Sequence, residues 1–211
     1  MKMLELYCGT KSISNAFKRA GWDVFTVDWN PDFKPTRIMD ISTITISDIE
    51  DICGGMPNVI WASPDCTTYS IAGISKHRTN IGGLLYPKSE YARFCDNANI
   101  NLAQLLKHFN GIYFIENPRG GMRKMGFWDA ERYTISYCQY GDFRQKPTDI
   151  WTNHPNPQFK PCCKPRSPCH ISAPRGSRTG SQGMDKVNSA RIPDGLAKHI
   201  VEICDEYYYK R

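Results

Sequence analysis

One cysteine of this chain stands where a thiol can react. The apolar run Val59-Ile60-Trp61-Ala62 leads into Ser63-Pro64-Asp65-Cys66-Thr67-Thr68-Tyr69-Ser70, so Cys66 enters a polar loop directly behind a strand-like segment. In a doubly wound sheet, ligands and reactive groups gather outside the carboxyl ends of the strands. Two further strand ends supply partners: residues 5–12 near the amino terminus, and Glu116-Asn117-Pro118 behind Ile112 to Ile115. A free cysteine is by default a small buried hydrophobe. The Pro-x-Cys setting at a strand end favours a nucleophile, with Glu116 as an acid beside it.

The elements that must position these groups are readable from periodicity. Met3 to Cys8 forms a buried strand, Gly9-Thr10-Lys11 a tight turn, and Ser12 the N-cap of a helix whose Ile13, Ala16, Phe17 and Ala20 share a face. Val24 to Asp28 is the next strand and Thr36 to Ile41 carries a third that ends at Asp40. Strand, glycine turn, helix and strand with a terminal acid is the layout of a nucleotide-type cofactor site. Only Gly9 is present of the three spaced glycines that a dinucleotide would need, which disfavours NAD. A ligand without a pyrophosphate, such as S-adenosylmethionine, needs less glycine and tolerates Lys11 in the turn. The other reading of Asp28 and Asp40 is that they cap loops.

Further along, Asp48 to Cys53 makes a short helix, and Gly73 to Lys88 lacks periodicity and reads as a mobile loop behind the cysteine, a candidate lid. Ser89 to Phe109 is the longest helical pattern, with Tyr91, Phe94, Ala98, Leu102, Leu105 and Leu106 on or near the face that packs on the sheet. Behind Glu116 lies a glycine-softened basic loop holding Arg119, Arg123 and Lys124. Tyr133 to Cys138 and Asp149 to Thr152 read as strands, and Ile192 to Tyr209 as a final amphipathic helix. The fold class is α/β, Rossmann-like, with a small irregular segment before the last helix.

With 211 residues the chain suits one domain with a real core. A formal charge of +6, with basic residues among aromatics, favours a polyanionic partner. The nine cysteines are odd in number, the chain opens on a strand rather than a leader, and no apolar stretch approaches the ~20 residues of a membrane span. The expectation is a cytoplasmic protein with free thiols. Residues 153–187 change to Pro, Gly, Ser, Lys, Arg and Cys and cannot build an apolar core. Cys162, Cys163, Cys169 and His170 crowd there, and a structural zinc could take His154, Cys163, Cys169 and His170. The alternative is free thiols in an irregular loop.

Taken together these motifs resemble, in order and across nearly the whole chain, the DNA (cytosine-5) methyltransferases, most closely their short phage-type members. Leu4-Glu5-Leu6-Tyr7-Cys8-Gly9-Thr10 is similar to their methyl-donor loop, Ser63-Pro64-Asp65-Cys66 to the nucleophile loop and Glu116-Asn117-Pro118 to the Glu-Asn-Val motif. Gln139-Tyr140-Gly141, then Arg144-Gln145-Lys146-Pro147-Thr148, stands where the family carries Gln-x-Arg-x-Arg, and Asn188-Ser189 resembles the last motif. The departures are Asp65 before the cysteine, Pro118 for valine, and Lys146 and Thr148 for two arginines. The resemblance implies a methyl transfer from S-adenosylmethionine to C5 of a cytosine flipped out of duplex DNA, through a Cys66–C6 adduct, in a bacterial or phage-infected cell. Glu116 would grip the base, and Arg144 and Lys146 would contact base or phosphate. Tyr7, Gly9, Thr10, Ser12, Asp28, Trp29, Asp40, Ile41, Pro64, Asn188 and Ser189 would surround the donor. It also divides the chain into a catalytic part (1–152), a short recognition segment (153–187) and a returning helix (188–211). Arg119, Arg123, Lys124, Lys164, Arg166, Arg175 and Arg178 would meet the nucleic acid. RNA or a free pyrimidine nucleotide as substrate, and a non-catalytic nucleic-acid-binding module, are the rival readings.

Overall fold

Alternate residues of a strand point to opposite faces, and here both faces are apolar, as parallel strands covered by helices require. In β1 (Lys2–Leu6), Met3 enters one core while Leu4 and Leu6 enter the other. The computed structural model describes residues 1–171 and 185–209. After β1 the described chain runs α1 (Ser12–Arg19), β2 (Asp23–Asp28), β3 (Arg37–Ile38), α2 (Ile46–Cys53), β4 (Val59–Ala62), α3 (Ile74–His77), β5 (Arg78–Ile81) and β6 (Leu84–Pro87). It continues as α4 (Glu90–Lys107), β7 (Ile112–Pro118), β8 (Glu131–Ser136), β9 (Pro147–Thr152), α5 (Lys186–Ala190) and α6 (Asp194–Tyr209).

Seven strands form one sheet in the order β3-β2-β1-β4-β7-β9-β8. The first five are parallel, and β9 runs antiparallel between β7 and β8. Phe17 of α1 and Leu196, Ile200 and Ile203 of α6 cover one face with Trp61 and Phe114. Ile49 of α2 and Leu102, Leu105 and Leu106 of α4 cover the other with Ile60 and Ile115. Winding reverses between β1 and β4, which opens a crevice at their carboxyl ends.

Several elements depart from the sequence expectation. The third strand shrinks to Arg37–Ile38, because the Asp40 side chain accepts from the Ser42 N–H and starts a 3-10 turn instead. The strand expected over Tyr133 to Cys138 stops at Ser136, where Tyr137 to Tyr140 wind into a 3-10 turn closed by left-handed Gly141. Gly73 to Lys88 is not an unstructured lid: it folds as α3 and the β5–β6 hairpin. Arg78 anchors it, with a bidentate pair to Asp96 on α4 (2.7 and 3.0 Å) and bonds to Thr68 in the cysteine loop.

Ser12 is the first residue of α1 rather than its cap; left-handed Lys11 precedes it without a side-chain cap bond. The acceptor comes from Glu5, whose carboxylate takes the Ser14 N–H at 3.0 Å and also the Ser14 hydroxyl. Burial pushes the Glu5 pKa up to about 7 in spite of those bonds. A carboxyl raised in the folded state binds its proton more tightly there than in the unfolded chain. Its stabilising contribution is therefore fully present below the unfolded value of 4.5 and is lost as pH rises through about 7. The full effect is about 3 kcal/mol. Glu5→Gln keeps the shape and an acceptor without the titration, so urea unfolding from about pH 5 to about pH 8 is expected to show the variant gaining on the native chain as pH rises. A difference that stays flat with pH would overturn this account of Glu5.

Candidate functional site

The β4–β7 pairing brings the reactive groups to one rim. Val59 pairs with Ile112, Trp61 with Phe114 and Ala62 with Ile115, so the Cys66 loop and Glu116-Asn117 leave the sheet side by side. Trp61 and Phe114 stack at 5.9 Å beneath them. Asn117, buried, donates its amide to the Pro64 carbonyl at 2.9 Å and so holds the loop that carries Cys66. Glu116, one residue earlier, points to the opposite face, where the Tyr137 hydroxyl donates to its Oε1 at 3.0 Å. The 3-10 turn after β8 is what brings Tyr137 there.

Glu116 is buried, and burial dominates the electrostatics of the site. Burial raises the Glu116 pKa, against the opposing pull of Lys146, Tyr137 and Ser63. Burial, then the charges of Asp65 and Glu116, push the Cys66 thiol up to about 11, with Lys146 pulling the other way. Lys146 is itself lowered by burial while Glu116 and Cys66 act to raise it. Its Nζ donates to the Ser189 carbonyl at 2.8 Å and lies 4.5 Å over the Tyr137 ring. Arg144 is buried, bonded to Asp142 (2.9 Å) and to the Ser189 carbonyl (3.1 Å). Its guanidinium is thus engaged within the protein, and among the cations of the motif it is Lys146 that sits against the carboxyl and thiol. The arrangement can donate a proton from a buried acid and offer a thiol, with one ammonium to offset a developing thiolate.

Beside this pair opens a cleft of about 320 Å³ lined by Tyr7, Trp29, Asp40, Ile41, Pro64 and Asp65, and by Tyr91, Phe94, Cys95 and Asn99 of α4. Tyr7, Trp29, Asp40, Ile41 and Pro64 are donor-site residues expected from the sequence. Tyr91 and Phe94 are a correction: both are exposed, stacked on each other at 6.4 Å, and Tyr91 donates to Asp65 at 2.7 Å. An aromatic pair three residues apart on a helix edge was the available signal. The Tyr7 hydroxyl is buried without a hydrogen-bond partner, an open polar group at the cleft wall. Asp28 instead accepts from the N–H groups of Gly9 and Asn30, both at 3.0 Å, so the loop-capping role is realised for it. Thr10 and Ser12 bond to each other at 2.9 Å in the same turn. Asn188 and Ser189 do not line this cleft: Asn188 donates its N–H to Asp185, and the Ser189 carbonyl receives Arg144 and Lys146.

Of the basic residues, Arg119 and Lys124 are exposed and line a groove of about 640 Å³ with Lys88 and the β5–β6 hairpin, which exposes Ile81, Leu84 and Tyr86. Gly120 lies so close to the cysteine loop that a Cβ would fall 2.6 Å from the Tyr69 carbonyl. Arg123 is not a free contact. It pairs with fully buried Asp149 (Nε to Oδ2 2.8 Å) and with Thr134. Lys164 and Arg166 are exposed, while Arg175 and Arg178 lie outside the described residues.

The expected metal set is also corrected. His154 is buried between Phe114 and Tyr207, with Nε2 at 3.2 Å from the Ile203 carbonyl, so it serves the core. Cys163, Cys169 and His170 do come together, and Cys138 takes the fourth place. Cys138 was hidden because its segment read as strand.

No family model matches the sequence, and no curated protein matches it. Among solved structures, the Entamoeba histolytica methyltransferase EhMeth superposes with a TM-score of 0.50 at 15% identity, over 72% of this chain and 52% of that one. The S. pombe Dnmt2 methyltransferase (0.49, 19% identity, 72% and 48%) and a Spodoptera frugiperda DNMT2 mutant (0.48, 18%, 77% and 53%) are also similar. The chain spans about half the length of these neighbours. At such identity the likeness is one of fold, a mixed α/β, Rossmann-like architecture shared with the methyltransferase EhMeth.

Removing Arg123 leaves the Asp149 carboxylate buried and unpaired, which costs about 3 kcal/mol. Urea denaturation of Arg123→Ala should show that loss. Lys124→Ala, by contrast, is expected to unfold with the native midpoint, and equal midpoints for both variants would refute the structural role of Arg123.

Proposed function

We propose that the chain is a DNA cytosine-5 methyltransferase using S-adenosylmethionine. The observation that carries the reading is the Asn117–Pro64 bond, which fixes a strand-end thiol beside a buried carboxyl. Cytosine C5 is a poor nucleophile until a thiolate adds to C6. In this reading Cys66 forms the bond to C6, and the ring electron pair moves toward N3, where Glu116 donates its proton. C5 then becomes an enamine carbon. Burial raises the Glu116 pKa and so shifts the carboxyl toward the form that has a proton to give. Lys146 offsets the charge on Cys66 as the thiol ionises, and Tyr137 holds the Glu116 carboxyl in place.

The cleft beside the thiol suits the methyl donor: aromatic walls at Trp29, Tyr91 and Phe94, the Asp40 carboxylate, and the partnerless Tyr7 hydroxyl. When bound there, S-adenosylmethionine supplies an electrophilic methyl group. On the other side, the groove with Arg119, Lys124 and Lys88 suits phosphates, and the exposed apolar tip of the β5–β6 hairpin suits the gap left by an extruded base. Residues 1–152 would then be the catalytic part, 153–187 the recognition segment and 188–211 the returning helix. EhMeth, whose fold this chain resembles, is a methyltransferase, which agrees with the reaction class.

Nucleoside mass spectrometry tests this directly, with duplex DNA and RNA incubated in parallel. The expected outcome is 5-methylcytosine in DNA, none with Cys66→Ala, and a loss of roughly 100-fold or more with Glu116→Gln. Product in RNA alone would move the substrate, and product with Cys66→Ala would remove the nucleophile. Because the thiol sits near 11, kcat/KM should climb with pH from about 6 to about 8, as thiolate becomes available.

A further inference from the structure

Cys138, Cys163, Cys169 and His170 form a second centre that the methyl-transfer reading does not use. Their ligand atoms all lie within 4.8 Å of one another. Cys138 Sγ is 3.2 Å from Cys163 Sγ and 3.5 Å from Cys169 Sγ. His170 Nδ1 is 3.6 Å from both Cys163 Sγ and Cys169 Sγ. A tetrahedral zinc with Zn–S of about 2.3 Å and Zn–N of about 2.0 Å sets S···S near ~3.8 Å and S···N near ~3.5 Å. The His170 edges match that figure, and the two Cys138 edges are about 0.6 and about 0.3 Å shorter than it.

We infer that this cluster is a structural Cys3His zinc site that fastens residues 153–171 to the catalytic sheet. Three arguments carry it. First, the donors are selective: Cys162, adjacent to Cys163, turns instead to the Ser136 hydroxyl at 2.9 Å. Second, the surroundings hold the ligands in place. The Gln139 amide points at Cys169 Sγ at 3.5 Å, the Cys163 N–H donates to Ser136, and Gln145 donates to the Cys163 carbonyl. Outer partners of this kind orient metal ligands. Third, residues 153–171 contain no helix or strand, and a metal supplies the cross-link that a core otherwise would.

Thiolate and imidazole donors in a tetrahedron select zinc over the harder cations. On binding, three thiol protons leave to solvent and four donor bonds form to the metal, with no change of oxidation state. The position matters because Cys138 directly follows Tyr137, whose hydroxyl holds the Glu116 carboxyl. The metal would thus tie the segment to the turn that arranges the reactive end of the sheet.

The test is metal analysis of the full chain purified from zinc-supplemented cells, followed by exchange with cobalt. The expected result is about one zinc per chain, and on exchange thiolate-to-cobalt charge transfer with the visible bands of tetrahedral cobalt. Cys138→Ser, Cys163→Ser, Cys169→Ser and His170→Ala should lower bound metal roughly tenfold or more, whereas Cys162→Ser and His154→Ala should retain it. His170→Cys keeps four donors, so it should keep the metal and intensify the charge-transfer band even if the other variants fold poorly. A metal-free native chain, a Cys138–Cys163 disulfide found by mass spectrometry, or loss of metal in Cys162→Ser equal to that in Cys163→Ser would overturn the inference.

Discussion

The bond from the Asn117 amide to the Pro64 carbonyl is the constraint on which the candidate site depends. It exists because β7 pairs with β4 in one register, and side chains alternate with period two. A slip of a single residue would exchange Glu116 and Asn117 between faces, setting the carboxyl against the Pro64 carbonyl and the amide against Tyr137. The register is itself fixed by burial on both faces: Ile112 and Phe114 enter one core, Tyr113 and Ile115 the other. Apolar packing deep in the sheet therefore sets the position of a polar contact at its rim.

A second tier of contacts supports the same loop from behind. Arg78 binds Thr68 and Asp96, and Asp96 accepts the Tyr69 hydroxyl at 2.7 Å, so the residues just after Cys66 are tied to α4. The guanidinium also lies 4.1 Å over the Tyr69 ring. These are buried charges that satisfy each other fully, and such networks favour one arrangement over its alternatives. The hairpin that begins at Arg78 is thereby held beside the groove that Arg119 and Lys124 line.

The strand ends were legible in the sequence because they combine two local signals, an apolar run and an abrupt polar stop. Cys66, Glu116, Asn117 and Asp40 fell out of that pattern, whereas Tyr7 was named only through the family resemblance. What was not legible depended on long-range packing. Cys138 read as strand by its neighbours' β-branched and aromatic character, yet Tyr137 to Tyr140 turn so that Tyr137 can reach Glu116. His154 looked like a ligand by composition, but the packing of Phe114 and Tyr207 claims it for the core. Arg123 looked like part of a solvated basic loop until β9 placed Asp149 opposite it. Tyr91 and Phe94 satisfied the helical period for burial, and only the crevice between β1 and β4 explains why they remain exposed.

The charge arrangement around Lys146 links the carboxy-terminal part of the chain to the reactive rim. Burial disfavours charge on Cys66, Glu116 and Lys146 alike, so the three must be considered as one set. With the thiol and carboxyl protonated, Lys146 is the lone charge among them, and burial draws its own pKa down. Ionising Cys66 places an anion near that cation, which lowers the cost of both. Ionising Glu116 instead would compete for the same cation and raise the thiol further. One cation therefore couples the ionisation of both groups, provided Lys146 stays in place. What keeps it there is the Ser189 carbonyl, which also receives Arg144. That carbonyl comes from α5, after the segment that precedes the last helix, so the return of the chain to the sheet is part of the electrostatics of the site as well as of its packing.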